Sequence, residues 1–189
     1  MANHATFIND FLAEKTFFVH LTHKTPLPIT NTYATPATLG RDRIAVVVGG
    51  KAIFPDADIL AIDAGTCITY DFIDQKNVYH GGSISLGLQM RFRALQHFTD
   101  KLPLVQKTNE SQLIGKTTET AILSGVMQGT VAEMNGIIAQ YQQKYPKLKV
   151  LLTGGDAKFF ETQLKNEILV RPNLVLEGLN KILNYNATI

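Results

Sequence analysis

An α/β domain on a mixed sheet is what the sequence predicts, and three observations carry it. Three short β-rich runs, residues 59–63, 66–74 and 78–85, follow one another with tight turns, the mark of an antiparallel meander. Residues 88–98 and 119–141 then place apolar side chains at helical spacing, among them Phe92, Val126, Met134 and Ile138. Residues 149–152 read as a further strand running into Thr153-Gly154-Gly155, after which 157–164 and 173–184 read as helices, the latter introduced by Pro172.

Upstream, residues 5–15 carry Phe7, Ile8, Phe11 and Leu12 on one helical face, and residues 16–21 read as a β-rich strand. Residues 22–40 hold prolines among many Thr and Asn, which predicts an irregular loop of functional length. Residues 44–48 are β-branched, and propensity alone favours strand there. Internal repeats, low-complexity tracts and composition shifts are absent, so one unit is expected over 1–189.

Composition narrows the function classes. With 45% hydrophobic and 18% charged residues the chain can bury a sizeable core, and its formal charge of +2 is spread without a basic run. Nucleic-acid binding is not expected. The apolar stretch 44–54 is broken by Gly49, Gly50 and Lys51 and is too short for a bilayer, so no membrane partner is expected either. The single cysteine, Cys67, has no partner for a disulfide, and Met1-Ala2-Asn3-His4 lacks a signal-peptide pattern, which together predict a cytoplasmic protein. The five histidines show no metal-ligand spacing, and no nucleophile elbow occurs.

Four segments carry chemistry. Asp63-Ala64-Gly65-Thr66 offers a carboxylate, a glycine and a hydroxyl at a strand end, as a phosphate-and-metal turn would; Asp-x-Gly is equally an ordinary hairpin turn. Gly40-Arg41-Asp42-Arg43 follows Tyr33-Ala34-Thr35-Pro36 and crowds a carboxylate between two guanidinium groups. An aspartate there can accept a hydroxyl proton during phosphoryl transfer, and an arginine can grip a substrate carboxylate at two points. The same residues read equally as a solvated ion cluster. His80-Gly81-Gly82-Ser83 and Thr153-Gly154-Gly155-Asp156 place paired glycines at strand ends, where backbone can lie against a nucleotide or against another backbone.

In that order, with Asn31-Thr32-Tyr33, Leu102-Pro103, Ile114-Gly115-Lys116 and Thr118 between and around them, these motifs resemble the type III pantothenate kinases of the acetate-kinase, sugar-kinase and actin superfamily. The resemblance implies a ribonuclease-H-like (actin-like ATPase) α/β fold, with residues 1–58 a remnant of the first lobe plus the substrate loop and 59–189 the second lobe. It implies ATP-dependent phosphorylation of pantothenate to 4'-phosphopantothenate, at the start of coenzyme A biosynthesis. By the same resemblance Asp42 is the general base, and Tyr33, Gly40, Arg41, Asp42 and Arg43 form the pantothenate pocket. Asp63 holds a monovalent cation, K+ or NH4+. Thr66 and Gly65 contact ATP, which brings Mg2+, and Thr118 reaches pantothenate across a homodimer interface.

Three departures accompany the resemblance. The family opens with an Asp-x-Gly-Asn-Thr turn on strands that would take roughly 30 to 50 residues; no such turn precedes Asp63, so the first lobe is expected to be truncated. Cys67 stands where an alanine is usual, and Thr117 where an asparagine is. The family also places a helix after Asp42-Arg43, against the β propensity of 44–48, and a helix is therefore expected. The competing reading is a non-catalytic accessory relative of the same fold that binds a small ligand.

Overall fold

The computed structural model describes residues 2–189, with side chains from residue 7 onward. A six-stranded sheet runs through it, made of β1 (Thr30–Asn31), β2 (Ile59–Ala64), β3 (Cys67–Ile73), β4 (Val78–Leu86), β5 (Lys149–Thr153) and β6 (Leu169–Val170). In space they lie in the order β1-β4-β3-β2-β5-β6. Strands β2, β3 and β4 form the expected antiparallel meander, and β5 and β6 add in parallel beyond β2. The run β4-β3-β2-β5-β6 is the ribonuclease-H-like arrangement.

Helices cover both faces. On the back lie α2 (Arg41–Ile53) and α7 (Leu174–Asn186), and on the front α3 (Leu88–His97), α4 (Thr118–Leu123), α5 (Gly129–Lys144) and α6 (Ala157–Glu161). The sheet accordingly separates two cores. Leu60, Ile62, Tyr70 and Phe92 belong to the front one, and Val47, Ile59, Ala61 and Leu151 to the back one. The remaining helix, α1 (Ala2–Lys15), exposes Phe7, Ile8 and Phe11.

Helix α2 forms against the β propensity of Val46-Val47-Val48. Residues 43–51 of it are all buried between the sheet and α7, so burial on every side decides where local preference does not. The crossing with α7 is backbone on backbone: a Cβ at Gly178 would collide with the Ala45 carbonyl, and one at Gly49 with the Leu174 carbonyl.

Three expectations need correction. Residues 16–21 form no strand; the sheet edge they would extend is taken by β1, which pairs with Val78 and Tyr79. The helix expected over 119–141 starts at Thr118 and is interrupted by a π-helical stretch, Ser124–Gln128. There Ser124 Oγ donates to the Leu113 carbonyl at 2.6 Å, and Gln128 Nε2 donates to the Ser111 carbonyl at 3.0 Å, tying the loop before α4 to the helix. Helix α6 ends at Glu161, short of residue 164, and two-residue β6 carries too little pattern to be read from sequence.

Gly178→Ala is expected to cost about 1–3 kcal/mol, because neither backbone at the α2–α7 crossing has room to retreat. Urea unfolding checks this, with Gly136→Ala as the control in which an added Cβ meets nothing.

Candidate active site

The two-residue period of the strands decides which side chains meet. On β2, Leu60, Ile62 and Ala64 point to the front core, so Asp63 shares the back face with Ile59 and Ala61. On β3, Ile68, Tyr70 and Phe72 point forward, leaving Thr69 and Asp71 on the back with Ile73. The register sets Thr69 opposite Asp63 and Asp71 opposite Ala61. A polar patch thus opens in the back face, and the first turn of α2, bearing Asp42 and Arg43, stands over it.

Arg43 is not a solvated surface charge. Its side chain is 6% exposed and that of Asp71 0%. Arg43 Nε donates to Asp71 Oδ1 at 2.8 Å, and Nη2 lies 2.8 Å from the same oxygen without a directed hydrogen bond. Tyr79 Oη donates to that oxygen too, at 2.7 Å. The guanidinium sits 5.5 Å from the Tyr33 ring centre, and Tyr33 stacks on Tyr79. Burial pushes the Asp71 carboxyl above its ordinary range, against the opposing pull of Arg43 and Tyr79. Burial lowers the Arg43 value, but Asp71 more than offsets it and the guanidinium stays charged.

Asp42 lies near enough to Asp63 for its charge to be felt there. The Asp63 carboxyl is pushed upward by burial first and then by the Asp42 and Asp71 carboxylates. Gly40 makes room for Asp42, whose Oδ1 accepts the Arg43 N–H at 2.9 Å. At the strand end, Gly154 (φ +96) lies where a Cβ would press on Asp63 Oδ1 and the Ala64 carbonyl, while the Asp156 N–H donates to that carbonyl at 2.9 Å. Gly81 (φ +95) likewise gives its space to the Tyr33 ring. Of the two uses open to these glycines, the structure shows close packing within the protein; at Gly155 an added Cβ would meet nothing.

The structure therefore brings Tyr33, Gly40, Asp42, Arg43 and Asp63 to one end of the sheet, with Gly65 and the exposed Thr66 in the β2–β3 turn beside it. Arg41 turns away, donating to the Leu39 carbonyl at 2.9 Å. Thr118 is exposed at the start of α4, where Thr117 caps the helix by a reciprocal bond pair with Thr120. Threonine in place of asparagine costs little there, since both cap. Cys67 is half-buried with Sγ 3.9 Å from Met90 Sδ. Asp71 and Tyr79 escaped the sequence reading. The available signal was a carboxylate between Tyr70 and Phe72 in a strand whose other face carries the core.

The type III pantothenate kinase family model matches residues 1–140. Type III pantothenate kinase of Phocaeicola vulgatus is 54% identical over 168 residues, covering 89% of this chain and 69% of that protein. The chain belongs to the type III pantothenate kinase family. The Bacteroides fragilis enzyme is 56% identical over 162 residues, covering 86% of this chain and 67% of that one, and the Cytophaga hutchinsonii enzyme is 52% identical over 180 residues, covering 94% and 77%. A solved structure of a conserved Baf-family protein from Campylobacter jejuni superposes with a TM-score of 0.63 at 23% identity, over 97% of this chain and 80% of that one, and shows the shared fold. Every residue singled out for the pantothenate pocket, the cation and ATP lies within the matched span.

Because the Asp63 carboxyl is raised in the folded state, its contribution to stability is complete below the ordinary carboxylate value of 3.8 and is lost as pH rises through the raised value. Ionised Asp63 is thus a burden at neutral pH in the absence of ligands. Asp63→Asn is expected to raise the melting temperature at pH 7 by about 2–4 °C, with the gain shrinking toward pH 4. Calorimetric melting across that range checks the sign.

Proposed function

We propose that this chain transfers the γ-phosphoryl group of ATP to the primary hydroxyl of pantothenate, giving 4'-phosphopantothenate, in the cytoplasm. The observation that carries this reading is the meeting of Asp42, Asp63 and Arg43 at one strand end, in a member of this family. The Asp42 carboxylate accepts the hydroxyl proton as the oxygen attacks phosphorus. Arg43 engages the pantothenate carboxylate, with Tyr33 and Gly40 completing the pocket and Arg41 held apart from it on the Leu39 carbonyl. Thr66 and the Gly65 backbone meet the ATP phosphates in the β2–β3 turn.

The donor set suits a monovalent cation, potassium or ammonium, held by Asp63. The Asp63 carboxyl is raised by burial first and then by the Asp42 and Asp71 carboxylates, and the nearby guanidinium is paired with Asp71, so positive charge is short there. When bound, the cation and the Mg2+ that accompanies ATP neutralise phosphate charge. Among the described residues no group of three His, Cys, Asp or Glu side chains forms a metal cage. Thr118 is assigned to the pantothenate site of a second copy in a homodimer. Its exposure, and that of neighbouring Leu113 (79%) and Ile114 (73%), supports that assignment. In the same reading residues 59–189 are the second lobe, and 1–58 carry the substrate loop and the end of the first.

Calorimetric titration with pantothenate, with and without ATP, Mg2+ and potassium, tests the reading. Wild type is expected to bind pantothenate, and Asp42→Asn to bind it comparably while losing about 10^2–10^4-fold in phosphoryl transfer. A folded wild-type chain that binds no pantothenate overturns the assignment. Potassium is expected to raise the melting temperature of wild type and leave Asp63→Asn unmoved; equal shifts in both remove Asp63 as the cation ligand.

A further inference from the structure

Beneath the proposed pocket lies a group the reaction does not itself call on. Asp71 is fully buried on β3, yet all of its directed contacts fall on one oxygen: Arg43 Nε at 2.8 Å and Tyr79 Oη at 2.7 Å both meet Oδ1. Its Oδ2, the Thr69 hydroxyl and Arg43 Nη2 are buried without a hydrogen-bond partner. Leaving such atoms unpaired is costly, so each of them calls for a structural or functional reason.

The geometry fixes the guanidinium in a particular way. Asp71 Oδ1 lies 2.8 Å from both Nε and Nη2, and Nη2 has no accessible surface, which leaves Nη1 as the atom to meet a substrate carboxylate. The Tyr33 ring covers the guanidinium at 5.5 Å, and Gly81 lets that ring lie close by offering no side chain. An arginine held at one edge by a buried carboxylate and across its plane by an aromatic ring loses little freedom when it binds, which is how preorganisation raises affinity.

We propose that Asp71 is a positioning residue for substrate selection: with Tyr79, it aims Nη1 of Arg43 so that the pocket prefers an acceptor bearing a carboxylate over its neutral counterpart. This rests on the pantothenate reading above. Asp71 touches no substrate, and its effect reaches the ligand only through Arg43.

The test compares pantothenate with pantothenol, in which a CH2OH group replaces the carboxylate and the phosphorylated hydroxyl is kept. Binding of each is measured by calorimetry on wild type, Asp71→Asn and Tyr79→Phe, with folding checked by melting and far-UV circular dichroism. Wild type is expected to favour pantothenate. Asp71→Asn is expected to weaken pantothenate by about tenfold or more while leaving pantothenol within about threefold. Tyr79→Phe, which keeps the ion pair, is expected to move the ratio the same way by a smaller factor. A purely structural Asp71 would weaken both ligands together or neither, so an unchanged pantothenate-to-pantothenol ratio in folded variants overturns the proposal. If Asp71→Asn does not fold, the ratio in Tyr79→Phe decides. A wild type that binds neither ligand overturns the kinase reading along with this one; a wild type that discriminates while both variants keep its ratio overturns this one alone.

Discussion

The Arg43–Asp71 pair is the constraint on which the rest of the site depends. Two charges are withdrawn from water where the first turn of α2 meets the back of β3. Such a pair contributes little net stability, because desolvation consumes much of the attraction, but removing one member strands the other and typically costs about 3–5 kcal/mol. Its value therefore lies in registration. With Arg43 tied to β3, α2 has one rotational setting over the sheet, and Asp42, the preceding residue, is delivered beside Asp63. Tyr79 and Tyr33 extend the same registration outward to the loop before α2.

Packing on the other side of α2 enforces that setting. The helix carries Gly49 where the Leu174 carbonyl of α7 approaches, and α7 carries Gly178 where the Ala45 carbonyl approaches. Two backbones that close cannot rotate without collision, so α7, far along the chain from the site residues, takes part in aiming them. At the strand end Gly154 plays a comparable part, its missing side chain leaving the space that the Asp63 carboxylate occupies.

Much of this was legible in the sequence, and the exceptions have physical reasons. The meander, the helices on the front face and the strand β5 followed from periodicity, because their burial is one-sided or their apolar runs are bounded by turn residues. Helix α2 was not legible from propensity: Val46-Val47-Val48 are good strand formers, and only burial against both sheet and α7 makes them helical. Residues 16–21 failed in the opposite direction, with strand composition but no free edge to join. Asp42, Asp63 and Arg43 stood out as unusual residues near turns, whereas Asp71 and Tyr79 looked like ordinary members of strands. Their role depends on which face they occupy and on what crosses above, and β3 alone carries neither fact.

The charge balance at the strand end also bears on the chemistry. The Asp42 and Asp71 carboxylates both act on Asp63, whose carboxyl burial has already raised, and against them stands one buried guanidinium already bound to Asp71. Arg41 is directed at backbone carbonyls, and Lys107 is engaged with Asp156. In the proposed reading, a phosphoryl donor approaching this patch would meet net negative charge, and the positive charge for transfer would have to arrive with the ligands.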